Sequence, residues 1–294
     1  MLLSIVTLNY NKQQLTLTCL ASLYEHFSKE FENGELELVI VDNASADDSV
    51  VAINKQIKEK NYKNVTVIAN KENSGFGKGC NIGVDNSKGK YILLLNNDTV
   101  VKDRSILAMA KYMEENEKVA ILGGQLRNVD GSLQASVGSF YTLPKAIMLL
   151  LGMQRFGLLD ASPKEITEVD WVKGGLLMIG KSTFENLKGF DEKIFMYTED
   201  MELCYRAHKA GLKTYFYPNV QVLHAEHGST SKTFAIVNIY KNLLYFYKKH
   251  RSLPEYYLLK ILLIKKALAL IFFGTLTGNQ YLTKTYKEAL SEIT

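Results

Sequence analysis

The chain of 294 residues is poor in cysteine, in excess charge and in unbroken apolar runs. Its three cysteines, Cys19, Cys80 and Cys204, lie far apart, with neither a metal-knuckle spacing nor an even set for disulfides. That predicts a reduced, cytoplasmic compartment. With 35 Lys+Arg against 31 Asp+Glu, the formal net charge is only +4, which does not announce a nucleic-acid binder. No basic stripe interleaved with base-stacking aromatics is found either. Nowhere do about 20 apolar residues run uninterrupted, so a membrane-spanning helix is not expected. The opening run Met1–Val6 is apolar but lacks a basic leader and soon meets Asn9 and Asn11. A buried strand entering a loop is predicted there, not an export signal. Internal repeats and low-complexity tracts are missing too. What remains is a composition 47% hydrophobic and 22% charged, which supports a substantial core in one large domain or two small ones.

The first half alternates short apolar runs with amphipathic stretches. Runs at 2–8, 36–41, 65–69, 91–95 and 119–122 are rich in Val, Ile and Leu, as strands buried on both faces of a parallel sheet would be. Between them, Leu20, Leu23 and Phe27 fall on one helical face, and Ile53 and Ile57 on another. Asn11 and Ser45 are the expected N-caps of these two helices. Repeated strand–helix units imply an open α/β sheet flanked by helices, whose ligands bind beyond the carboxyl ends of the strands. Residues 125–170, with Asp130-Gly131, Pro144, Gly152, Gly157 and Pro163, read as a mobile, partly helical insertion. The division expected is a catalytic domain over 1–233 and a helical tail over 234–294.

Short polar side chains gather where the strands should end. These are Thr7 through Asn11, Asp42 through Ser45, Asn70 with Asn73 through Asn81, and Asn96-Asn97-Asp98. Each alone could be a turn; four in succession are harder to read that way. The glycine-rich stretch Gly75 through Gly79 fits neither phosphate-loop pattern, and a tight turn explains it equally well. Asp98, closing the run from Ile92, is placed to bind a hard cation such as Mg²⁺ or Mn²⁺, the alternative being a cap for the next helix. His224 could supply a nitrogen to the same ion, with His227 a competitor. Glu199 and Glu202 share a helical face while Asp200 points elsewhere. One acid could therefore serve a cleft as general base while another pairs with Arg206, or all could simply complement the helix dipole.

Taken together, Ile5 through Asn11, Val39 through Ser45, Asn73 through Gly77, Leu94 through Asp98, Trp171 through Gly175, Gly189 through Glu192, Thr198 through Asp200 and His224 through Ser229 form an ordered set. In this order the motifs resemble those of family-two inverting glycosyltransferases, especially the bacterial rhamnosyltransferase-like branch, over roughly residues 3–250. The resemblance implies a GT-A fold, a nucleotide-sugar-binding, mostly parallel sheet flanked by helices. It implies that Thr7, Asn9 and Asp42 contact the base and ribose, with Asn11, Asn43 and Asn97 beside them. Asn73, Gly75 and Gly77 would line the nucleotide-sugar pocket, and Trp171, Gly174 and Gly175 would contact substrate. Asp98 matches the last residue of the family's Asp-x-Asp element, whose earlier positions are here Asn96 and Asn97. Metal binding would then rely on Asp98, the substrate diphosphate and His224. Asp200 matches the catalytic base, with Glu199 its neighbour. The implied donor is a nucleotide-diphosphate sugar, dTDP-rhamnose ahead of UDP-sugars, and the acceptor a glycan or lipid-linked glycan of cell-surface polysaccharide synthesis.

Beyond Phe234 the composition changes to mixed aromatic and basic residues, then to the apolar stretch 256–273 interrupted by Lys260, Lys265 and Lys266. Such a helix suits the inner face of a cell membrane, lying in its surface, or packs on protein, including a second subunit of a homodimer. Two other classes are weighed: a catalytically silent nucleotide-sugar-binding protein, against which Asp98 and Asp200 argue, and a nucleotidyltransferase, which would carry a glycine-rich basic loop after its first strand.

Overall fold

The structure, a computed structural model, describes residues 1–152, 160–225 and 231–294. It divides into two compact units. One comprises Met1–Ser139, Asp160–Lys193 and Glu199–Ser229; the other comprises Phe140–Leu159, Ile194–Thr198 and Thr230–Thr294.

In the first unit, strands and helices alternate as the periodicity predicts: β1 (Leu3–Asn9), α1 (Gln13–Glu32), β2 (Leu36–Asp42), α2 (Ser49–Glu59), β3 (Val65–Ala69), α3 (Phe76–Asp85) and β4 (Tyr91–Leu95). Next come β5 (Thr99–Val101), α4 (Ile106–Glu115), β6 (Val119–Arg127) and β7 (Val137–Gly138). In the second unit lies α5 (Leu143–Leu150). The first unit resumes with β8 (Asp160–Ala161), β9 (Thr167–Val169), β10 (Trp171–Val172), β11 (Leu176–Gly180), α6 (Lys181–Asn186), α7 (Glu199–Lys209) and β12 (Lys213–His224). Among the described residues, 125–170 thus hold short strands as well as the helix α5, while Gly157 lies outside them.

The main sheet runs β3-β2-β1-β4-β11-β6-β12-β5, with β9 against β12. From β3 to β4 all pairings are parallel, so these carboxyl ends share one rim. Two strands complete that rim. β11 enters antiparallel between β4 and β6, placing its start, Leu176, beside Leu95 at the end of β4. β12 continues to His224, which pairs with Thr99. Alternate residues of β12 from Thr214 to Val222 are buried, the period-two signature of a half-buried strand. Beneath the sheet, Leu20, Leu23 and Phe27 of α1 pack with Ile5, Leu38 and Leu93 in the core.

The expected caps are corrected. Helix α1 begins after Lys12 and α2 after Asp48, neither with a side-chain cap. Asn11 instead adopts a left-handed conformation (φ 51°), and its Oδ1 accepts from Ala46 N at 2.7 Å. Ser45 Oγ accepts from Asn11 N at 2.9 Å. Both residues lace the β1 loop to the β2 loop, because an Asn or Ser satisfies any nearby backbone donor, not only those of a helix start.

The second unit adds α8 (Lys232–His250), α9 (Leu253–Leu276) and α10 (Gln280–Ser291) to α5. Ser231 caps α8, and Ser252 with Glu255 forms a reciprocal capping box on α9. Buried Asn242 donates to the carbonyls of Met196 and Tyr197, bracing the left-handed residues Tyr197 and Thr198.

Candidate active site

The strand tips are tied together by two hydrogen-bonded networks. In the first, buried Asn9 donates to Asp42 Oδ2 at 2.6 Å and Ser45 Oγ at 3.1 Å. Its Oδ1 accepts from Thr16 Oγ1 at 2.7 Å and Asn97 Nδ2 at 3.3 Å. Asp42 also accepts from the backbone and hydroxyl of Ser45. In the second, Asn43 Nδ2 donates to Asn73 Oδ1 and Gly75 O, while its Oδ1 accepts from Asn70, Ser74 N and Ser74 Oγ. Asn9, Asp42 and Asn43 are at most 2% exposed, so they build the rim's frame with their polar atoms already engaged. Gly75, at φ 82°, makes the turn into α3 that a side chain would resist, and Gly77 lies buried in that helix's first turn.

Beyond the end of β4, Asp98 lies in the turn just before β5 rather than capping a helix; Ser105 precedes α4, and its N–H donates to Asp103. Asp98 Oδ1 lies 3.2 Å from His224 Nε2, and Ala225 N donates to the Asp98 carbonyl, fixing the end of β12 there. His224 Nδ1 is 2.8 Å from Gln134 Oε1, whose amide nitrogen donates to Asn128 Oδ1 and to the His224 carbonyl. Oε1 can only accept, so Nδ1 carries the proton. In the neutral ring, Nε2 then turns its lone pair toward Asn96 Nδ2, at 3.2 Å, and toward Asp98. A carboxylate oxygen and an imidazole lone pair so close suit a shared cation, with first-row ligand bonds of about 2.0–2.2 Å.

The turn before β11 spans from this pair to the acidic helix. Asn96 N donates to Gly175 O, and a side chain at Gly175 would crowd the Asn96 amide at 3.3 Å. One residue back, Gly174 N donates to Asp200 Oδ2 at 3.1 Å, and its α-carbon faces Phe76 and Asp200. Asp98, His224, Asn96, Gly175, Gly174 and Asp200 therefore form one continuous seam. Burial raises both acids at the start of α7, Glu199 to about 8, helped by the Asp200 charge, while backbone amides oppose the rise at Asp200. The Gly174 and Met201 amides and Lys173 favour the Asp200 anion, whereas Glu199 Oε2 is buried without a partner. Asp200 is thus the member of the pair that ionises first. The third acid, Glu202, pairs with Arg206 at 2.8 Å. Arg206 also binds the carbonyls of Leu187 and Gly189, and Asn81 brackets Phe190, so the Gly189–Glu192 motif is a braced turn.

Among the other expected site residues, Thr7 Oγ1 and Trp171 Nε1 are buried without a hydrogen-bond partner, and Trp171 packs over Gly138. The sequence places Asn96 at the strand end without a partner for it, and offers nothing for Gln134. Gln134 carries no local signal: it sits in an irregular stretch 90 residues from His224. Lys173 lay inside a quoted motif without a role. His227 and the rest of its turn through Ser229 lie outside the described residues.

A family model for glycosyl transferase family 2 matches residues 4–164, and one for glycosyl transferase family group 2 matches residues 91–252. Rhamnosyltransferase WbbL of Escherichia coli (strain K12) is 32% identical over 170 residues, covering 55% of this chain and 64% of that protein, so this chain spans somewhat under two thirds of its length. N-acetylglucosaminyl-diphospho-decaprenol L-rhamnosyltransferase of Mycobacterium tuberculosis is 27% identical over 216 residues, covering 67% and 69%. Among solved structures, mannosyltransferase PcManGT from Pyrobaculum calidifontis, in complex with GDP-Man and Mn2+, superposes with a TM-score of 0.59 at 16% identity. That likeness covers 98% of this chain and 74% of the other, and places the fold in the GT-A class.

Proposed function

The chain belongs to glycosyltransferase family 2, in its rhamnosyltransferase-like branch, and from that premise we propose that it moves a sugar from a nucleotide-diphosphate donor to a hydroxyl of a glycan or lipid-linked glycan, with inversion. The observation that carries this reading is the seam joining the Asp98–His224 pair to Asp200 through Gly175 and Gly174. Departure of the sugar leaves a diphosphate whose charge must be stabilised; a divalent cation, Mg²⁺ or Mn²⁺, supplies that stabilisation when bound. Asp98 Oδ1 and His224 Nε2 fit such an ion, with Gln134 holding the ring in the ligating tautomer. No cluster of three His, Cys, Asp or Glu occurs among the described residues, so donor phosphates would complete the set.

Asp200 takes the proton of the acceptor hydroxyl as its oxygen bonds to the anomeric carbon. The carbon–diphosphate bond breaks on the opposite face, and no covalent enzyme intermediate is needed. Glu199, held neutral by burial, leaves Asp200 as the anion of the pair. The rhamnosyltransferase relatives favour a rhamnosyl donor, and the resemblance of the motifs favours a dTDP-linked one ahead of UDP-hexoses. Asp200→Asn keeps the shape and the Gly174 contact but removes the base. Transfer should fall about 10³-fold while donor affinity stays within about twofold. Near-normal turnover would take Asp200 out of the base role, and a wild type that neither transfers nor hydrolyses donor would leave a silent binding protein.

A further inference from the structure

Helix α9 is mostly apolar and carries apolar residues on every side, yet only one side of it is covered. Leu259, Leu263, Ala267 and Gly274 are buried, and Gly274 abuts Leu282 and Thr283 of α10. On the other side Leu253, Tyr257, Ile261, Leu268, Phe272 and Leu276 are 49–69% exposed. Their spacing of four or seven residues makes a single stripe, broken only by Lys265 at its middle. Twenty-four residues at about 1.5 Å each give a stripe about 36 Å long. A soluble surface seldom leaves such a patch bare. No helix among the described residues is long and apolar enough to cross a membrane.

Charge identifies the occupant. Residues 232–294 carry ten Lys and Arg against three Glu, an excess larger than that of the whole chain, +4. Lys260, Lys265 and Lys266 sit on α9 itself, where Glu255 in the first turn is the sole acid. We propose that the α9 stripe docks on an anionic lipid bilayer, lying in the interface with its apolar side chains among the acyl chains. Its lysines reach the headgroup phosphates. A second copy suits the surface less well. In a two-fold pairing of α9 with itself, Lys265, at the helix midpoint, would face or adjoin its own counterpart on a tail already strongly positive. A bilayer turns the same lysine into an attraction.

The inference does not depend on the transfer reaction, and its test reads binding only. Full-length protein is co-sedimented with vesicles of phosphatidylcholine alone or with about 30 mol % phosphatidylglycerol. Partitioning should be at least about tenfold stronger on the anionic vesicles and should weaken severalfold in about 0.5 M NaCl. Joint Ile261→Glu and Phe272→Glu substitution should cost at least about tenfold in partitioning, with Tm and nucleotide binding unchanged, since both side chains are exposed. Equal partitioning on the two vesicle types, or none by the wild type, would overturn the proposal. So would a sedimentation-velocity dimer that the double substitution dissociates, which would assign the stripe to a second copy.

Discussion

Glu199 and Asp200 are consecutive, buried and of like charge, and their difference is set by what touches them. Asp200 receives two backbone N–H groups, whereas one oxygen of Glu199 has none. Burial therefore keeps the Glu199 proton on, raising it from 4.5 to about 8. In the unfolded chain that proton is lost near pH 4.5, so between 4.5 and 8 the folded state binds more protons. Stability then falls as pH rises through this window and levels above it. Glu199→Gln removes the titration. Its stability relative to wild type should therefore climb with pH by up to about 1.4 kcal/mol per unit. Urea melts of both proteins between pH 5 and 8 check this, and a gap independent of pH would mean Glu199 is ionised in the fold. At this scale the carboxylates were legible in the sequence because an acid closing an apolar strand or opening a helix is conspicuous. Gln134 was not, since it acts on His224 only through folding, and the full engagement of Asn9 by four partners cannot be read from a single strand tip.

Among the elements, α3 against β1 shows how a local pattern acquires its meaning from packing. The glycines that read equally as a turn or a cradle turn out to divide their work. Gly75 makes the turn, whereas Gly79 and Gly83 lie against β1, where an added β-carbon would come within 2.4 Å of Leu8 Cδ1 and 2.3 Å of Val6 Cγ1. In an exposed helix Gly→Ala gains about 1 kcal/mol. At Gly83 the obstacle is a β-branched Val6, stiff and 1% exposed, with Val41 behind it, so overpacking of about 1–3 kcal/mol should win. At Gly79 the obstacle is the tip of Leu8, which can rotate away. Gly83→Ala should lower the urea midpoint clearly and Gly79→Ala much less; equal effects would show that the helix shifts as a whole. Strand positions were legible because five apolar runs needed covering on at least one face. The caps were misread because Asn11 and Ser45 have backbone donors from another loop within reach, a partner that only the parallel pairing of β1 with β2 supplies.

For the whole molecule, the rule that ligands sit beyond the carboxyl ends of parallel strands located the rim in advance, but two of its contributors arrive by strands of other kinds. Antiparallel β11 brings Gly175 to Asn96, and the far end of β12 brings His224 to Asp98. Pairing partners that lie so far apart in the chain leave no periodicity to read. This convergence carries a stability consequence. A ligand that requires the assembled rim binds only the folded chain, so at about 100 times its Kd it adds about 2.7 kcal/mol to the folding free energy. For a chain of this size that corresponds to a rise in Tm of roughly 3–8 °C. The rise should need nucleotide sugar and Mn²⁺ together, because the Asp98–His224 pair supplies two donors and the diphosphate must bring others. Asp98→Ala and His224→Ala should each lose most of that joint shift while keeping the smaller one from nucleotide alone. A differential scan of the three proteins with donor, with Mn²⁺ and with both decides the point. If either variant kept the full joint shift, its missing side chain would be no ligand of the ion.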